Sequence, residues 1–206
     1  MTLERHYNTP WVRTVARSAE PSGRLFCFPY AAGSANIFRH WHASLPESVE
    51  ICAIQLPGRA DRRDDRPFGR LLSLVEVAAD AITPLLDRPF AIFGHSMGAL
   101  IAFELARLLE QRGHTPGLLM PAGRGAPDLP DPGPALHAAP ERSLVDELMR
   151  LGGTSREMFT DQERMARLIP IVRADFAICE TYAFHTASRL ACPIVSFGGA
   201  QDPDWP

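Results

Sequence analysis

The chain has 206 residues, 46% of them hydrophobic and 22% charged, with a formal net charge of −3. That length suits one domain with a sizeable core, and the composition is that of a soluble globular protein, not of a disordered or membrane chain. All 21 basic residues are arginines scattered along the chain, so no footprint for nucleic acid is visible, and Schiff-base chemistry on a lysine is excluded.

Residues 1–15 mix polar and aromatic side chains without the apolar stretch of a signal peptide. No apolar run approaches the length of a transmembrane helix. Cys27, Cys52, Cys179 and Cys192 form no C-x-x-C pair, and three of them sit in or beside apolar runs, where reduced cysteine acts as a small hydrophobe. The expectation is a reduced, cytoplasmic monomer with no metal site and no membrane contact.

Short apolar runs alternate with longer stretches of helical period, which predicts βαβ units and a mostly parallel sheet. Residues 24–28 (RLFCF) read as a strand, followed by a helix from Ser34 to His42 with Ser34 as its cap. Residues 51–55 form the next strand, stopped by Pro57-Gly58, and 71–86 have helical spacing. A strand at 90–93 and an apolar helix at 99–109 follow, then a strand at 117–120. Residues 128–140 read as a Pro-rich surface excursion. Two helices, 143–151 and about 161–182, precede a last strand at 193–197. The whole is expected to be one domain, 1–206, with a helical insertion at about 128–185.

Between the strand PFAIF and the helix ALIAFELARLL lies Gly94-His95-Ser96-Met97-Gly98. A Gly-x-Ser-x-Gly pattern in that setting predicts the nucleophile elbow of an α/β-hydrolase fold, with helices on both faces of the sheet. Small residues on either side of the serine let strand and helix approach, and the serine takes a strained turn that exposes its hydroxyl. Ser96 is then the candidate nucleophile. The amide of Met97, at a helix start, is a candidate oxyanion donor. A second donor is expected from the loop after the first parallel strand, Phe28 to Ser34, where the amide of Ala31 is the candidate.

Taken together, several segments resemble the type II thioesterases, stand-alone editing hydrolases of polyketide and non-ribosomal peptide assembly lines. FPYAAGSANIFRHW resembles that family's Phe-Pro-His-Ala-Gly-Gly-Ser-Ala segment, with Tyr30 and Ala32 in place of the usual His and Gly. Leu56 to Arg62 resembles its Leu-Pro-Gly-Arg-x-x-Arg stretch, Gly123 to Asp128 a Gly-Arg-x-Ala-Pro turn, and residues 147–182 its helical lid. The resemblance implies hydrolysis of acyl thioesters on the phosphopantetheine arm of acyl or peptidyl carrier-protein domains, with no cofactor of the enzyme's own. Ser96 would form the acyl-enzyme, Ala31 and Met97 would supply the oxyanion hole, and the lid would admit the acyl arm.

In this fold the acid follows the nucleophile and the histidine follows the acid. Asp202, in the loop after the strand PIVSFGG, takes the acid position, with Asp204 as the fallback. All seven histidines lie upstream of Asp202. His95 is expected to point away from Ser96, His40 and His42 to face solvent, and His185 is a substitute in the wrong chain order. The final strand and helix of the fold are also missing from the sequence, which predicts an open edge and an uncovered apolar face beside 193–197. The expectation is a truncated hydrolase, weakly active or inactive as written. Two alternatives stay open: a general serine esterase or acyltransferase, and a catalytically dead pseudo-hydrolase that binds carrier proteins.

Overall fold

In a computed structural model, residues 7, 9–15, 20–129, 135–151, 161–185 and 189–202 are described. Five strands form one sheet in the order β1-β3-β2-β4-β5: β1 (Val12–Val15), β2 (Gly23–Phe28), β3 (Val49–Ile54), β4 (Phe90–His95) and β5 (Leu118–Ala122). Strands β2 to β5 run parallel, and only β1 is antiparallel, pairing Val12 with Ile54 at the far edge. This strand falls where the sequence offers only a short mixed segment. Its Val12 and Thr14 are buried by pairing with β3, a tertiary gain that local pattern does not signal.

The parallel strands are apolar at consecutive positions because both faces of the sheet are covered. Phe26 and Phe28 of β2, with Cys52 and Ile54 of β3, point to one face and join the main core. Leu25 and Cys27, with Ile51 and Ala53, point to the other face. The first face is covered by α1 (Leu71–Ile82) and α2 (Met97–Gln111), which pack together through residues such as Leu74, Ala78, Leu105 and Leu109.

The second face is covered differently from expectation. Instead of one helix from Ser34 to His42, the chain makes two 3-10 turns, Ala35–Phe38 and Trp41–Ala43, and Ser34 caps neither with its side chain. The reason is packing: Phe38, Trp41 and Phe93 form a mutual edge-to-face cluster with centroids 4.8 to 6.1 Å apart. A tight 3-10 turn swings both aromatics onto Phe93. Helix α1 likewise ends earlier than its apolar spacing suggests, passing into a 3-10 turn, Thr83–Leu85, at Pro84.

Two further helices are inserted after β5: α3 (Glu141–Leu151) and α4 (Gln162–Glu180). Asp161 caps α4 through its side chain, which accepts the Arg164 amide, and the helix continues through Pro170. Leu144 and Leu148 of α3 pack on Met165, Leu168, Ile169 and Val172 of α4 in a separate small core. Much of 128–140 reads as a surface excursion, and 130–134 lie outside the described residues. Beyond them Leu136 is buried, and Glu180 accepts from the amides of Leu136 and His137 at 2.8 and 3.0 Å.

The expected last strand is present only as two parallel bridges to β5, Leu119 with Ile194 and Ala122 with Phe197. Ile194, Val195 and Phe197 remain about half exposed, at 50%, 46% and 51%. Among the described residues no strand pairs with the outer side of 193–197. No helix of the described residues is long and apolar enough to cross a membrane.

Candidate active site

The C-terminal ends of the parallel strands are where an open α/β sheet places its ligand crevice. Ser96 lies there, between β4 and α2, with φ 54° and ψ −115°, a backbone conformation costly for any residue with a side chain. The turn is pinned by the Ser96 amide donating to Ala122 O at 2.8 Å and the Ala99 amide donating to Ser96 O at 2.9 Å. Both glycines of the motif are sterically required. A Cβ on Gly94 would lie 2.0 Å from Gly98 O, and one on Gly98 would lie 2.3 Å from Phe28 O. Ser96 is half-buried, and among the described residues its hydroxyl meets no hydrogen-bond partner.

Helix α2 opens at Met97, so its first amides have no acceptor within the helix and carry the positive end of the helix dipole. The close approach at Gly98 brings the end of β2 against the helix start, and residues 29–35 leave from that contact. Ala31, half-buried, packs against the main core. Ala32 holds φ 62°, and its amide donates to Asp175 Oδ2 of α4 at 2.7 Å. Arg59 grips the same carboxylate with both terminal nitrogens, at 2.9 and 2.8 Å, and donates to Gly33 O at 3.1 Å. Gln55 accepts the Ala35 amide at 3.2 Å and donates to Arg59 O at 3.1 Å.

His95 and Asp202 complete this end of the sheet. The His95 ring meets Tyr30 edge-on at 5.5 Å, and a Cβ on Gly123 would lie 2.8 Å from His95 Nε2. The ring therefore sits between two neighbouring loops, as expected, rather than over Ser96. Desolvation among these groups lowers its pKa, and the negative charge of Asp202 partly opposes that shift. Asp202 is thus within electrostatic reach of the residue preceding Ser96, in a turn closed by its amide on Gly199 O at 3.0 Å.

The thioesterase-domain family profile matches residues 23–206, nearly all of the chain. The chain belongs to the thioesterase family. It is 43% identical to linear gramicidin dehydrogenase LgrE of Brevibacillus parabrevis, over 94% of this chain and 75% of that protein. It is 37% identical to thioesterase PikA5 of Streptomyces venezuelae, over 95% of this chain and 70% of that one. Among solved structures, the type II thioesterase BorB of the borrelidin biosynthetic cluster superposes with a TM-score of 0.84 at 33% identity, covering 97% of this chain and 81% of that one. The resemblance drawn from the motifs and the expected α/β-hydrolase fold both stand.

Three other histidines of this thioesterase are engaged elsewhere. Arg107, about three turns along α2, donates to the His185 carbonyl at 3.4 Å, so that segment lies along the helix rather than at its start. His185 lines a cleft of about 210 Å³ with Leu72, Glu104 and Gln111 on α1 and α2. His137 is held by Glu180 of α4, and His42 by Arg39 O at 2.9 Å. Asp204 and His6 lie outside the described residues.

Neither partner of the buried Arg59–Asp175 pair is among the functional residues that the sequence predicts. A signal for Asp175 exists. It occupies the apolar stripe of α4 set by Met165, Leu168, Ile169 and Val172, where an acid is out of pattern unless a buried partner meets it.

Proposed function

We propose that this thioesterase hydrolyses acyl thioesters carried on the phosphopantetheine arm of carrier-protein domains in polyketide or non-ribosomal peptide assembly, through an acyl-enzyme on Ser96. The observation that carries this reading is the elbow: a serine at φ 54° on the open end of the sheet, flanked by two glycines that admit no side chain. Ser96 Oγ adds to the thioester carbonyl, and its oxygen charge is received by the amides of Met97 and Ala31. Collapse breaks the carbon–sulfur bond and returns the pantetheine thiol with the serine proton. Water then cleaves the serine ester to release the carboxylic acid. The role proposed for Asp202 is that of the acid, which in this fold orients the imidazole base and stabilises its cation. Helices α3 and α4 serve as a lid over the acyl arm.

The similarity to the thioesterase PikA5 and to BorB, a type II thioesterase of a biosynthetic cluster, supports thioesters as the substrate class. The dehydrogenase name belongs to the Brevibacillus protein. In this chain the turn after β2 reads Pro29-Tyr30-Ala31-Ala32-Gly33, without the glycine spacing of a dinucleotide-binding turn.

Incubation with acyl-N-acetylcysteamine thioesters, followed by intact-mass analysis, tests the reading. An acyl adduct on the wild-type chain, lost in Ser96→Ala, is expected, with faster reaction on thioesters than on matched oxygen esters. Equal rates on both esters would point to a general esterase. Carrier-protein binding without any adduct would point to a pseudo-hydrolase.

A further inference from the structure

The Arg59–Asp175 pair occupies a place that simple packing does not require. Both side chains are nearly inaccessible, at 6% and 1%. Burying two charges costs more than an apolar pair of similar volume, so charge is kept here at some expense to stability. What the charges do locally is specific. One Asp175 oxygen accepts both the Ala32 amide and Arg59 Nη1, while Arg59 also donates to the Gly33 carbonyl. Two peptide groups of the loop, Ala31–Ala32 and Gly33–Ser34, are thereby clamped on either side of the Ala32–Gly33 unit, the first by its N–H and the second by its C=O. Between them Ala32 holds a left-handed φ of 62°, a region natural to glycine and strained for alanine.

We infer that Arg59 and Asp175 are a positioning pair that holds residues 31–33 in the geometry presenting the Ala31 amide to the reacting carbonyl, and that this couples the loop to helix α4. Neither residue touches the acyl group, so the pair acts through the loop. This rests on the reading of Ser96 and Ala31 given above. A consequence is that displacement of α4 removes the acceptor of the Ala32 amide, so the oxyanion site is complete only when α4 is seated. Entry of an acyl arm that lifts α4 and formation of the reactive geometry are therefore sequential events.

The double variant Arg59→Met with Asp175→Leu removes both charges without leaving either buried alone. Its thermal midpoint is expected to stay close to that of the wild type. Amide exchange of a peptide covering 29–35 should accelerate about tenfold or more, while peptides of β4 and α2 stay protected. Labelling of Ser96 by a fluorophosphonate should slow about 100-fold, as expected for a displaced oxyanion donor. Adding Ala32→Gly should recover about fivefold of that loss, because glycine holds the left-handed turn without strain. A purely structural pair would give no such recovery.

Unchanged exchange at 29–35, or unchanged labelling despite faster exchange, overturns the inference. If the double variant does not fold, Asp175→Asn, nearly isosteric, gives the same exchange and labelling comparison. Absence of labelling in the wild-type chain would refute the role given to Ser96, and the exchange comparison would then decide alone whether the pair holds the loop.

Discussion

A methyl group at position 98 has nowhere to go, since it would meet Phe28 O at 2.3 Å and Pro29 O at 2.7 Å, both of them backbone atoms. Gly98→Ala must therefore push α2 and the 29–35 loop apart. We expect a loss of about 2 to 3 kcal/mol in urea unfolding, typical of overpacking, together with slower labelling of Ser96. His95 offers a second test at this scale. Its pKa is lowered from 6.5 in the fold, chiefly by desolvation, so the unfolded chain binds the proton more readily. Its contribution to stability is then fully present above the unfolded value and is lost as pH falls through the folded one. His95→Gln should flatten the decline in stability below about pH 6.5. Asp202→Asn removes the opposing influence and should lower the His95 pKa further, read by NMR titration of the ring.

Elements differ in what holds them. Strands β2 and β3 are buried on both faces, whereas α3 and the first half of α4 rely on their own small cluster, and α4 reaches the main core only through Ile178 and Cys179. Leu144 is fully buried in that cluster, so Leu144→Ala should cost about 2 to 4 kcal/mol locally. Hydrogen exchange is expected to quicken in α3 and α4 while β2, β4 and α2 keep their protection; a uniform change across the chain would contradict this division. The 193–197 segment is tied to β5 by three backbone bonds and to Gly123 just beyond it by a fourth, all of 2.9 to 3.0 Å, but it bears exposed Ile194, Val195 and Phe197. An apolar edge of this kind favours pairing with other chains. Val195→Lys is expected to reduce concentration-dependent association in sedimentation velocity runs.

For the whole molecule, a buried network at the N-terminal end of the strands links distant segments. Arg24 of β2 donates to Glu50 of β3 at 2.7 Å and to the Tyr7 hydroxyl at 2.9 Å, and that hydroxyl donates to the Glu50 carboxylate. Arg24 also meets Asp87, ahead of β4, and holds that carboxyl below its ordinary pKa. Arg24→Met removes the buried guanidinium that Glu50 and Asp87 both meet and should cost about 3 to 5 kcal/mol in chemical denaturation. Arg24→Met with Glu50→Leu should recover much of that loss. The cysteines report on the intact core: all four are buried and reduced, and burial raises the Cys27 thiol far above its usual pKa. Alkylation of Cys27 and Cys52 is expected only on global unfolding.

How far the sequence went depends on whether a feature is local. The Gly-x-Ser-x-Gly elbow was legible because each of its residues answers to neighbours within a few positions, and the Gly94 and Gly98 contacts are those the motif demands. The cap at Asp161 and the apolar faces of α1, α2 and α4 are local in the same sense. Strand β1, the 3-10 turns at 35–43 and the Arg59–Asp175 clamp were not legible. Each is settled by a partner far along the chain: β3 for Val12–Val15, Phe93 for Phe38 and Trp41, and a residue 116 positions away for Arg59. Periodicity and turn chemistry register what a segment prefers on its own. Only the tertiary structure decides which buried charge meets which, because desolvation makes a charge tolerable solely where the fold supplies its partner.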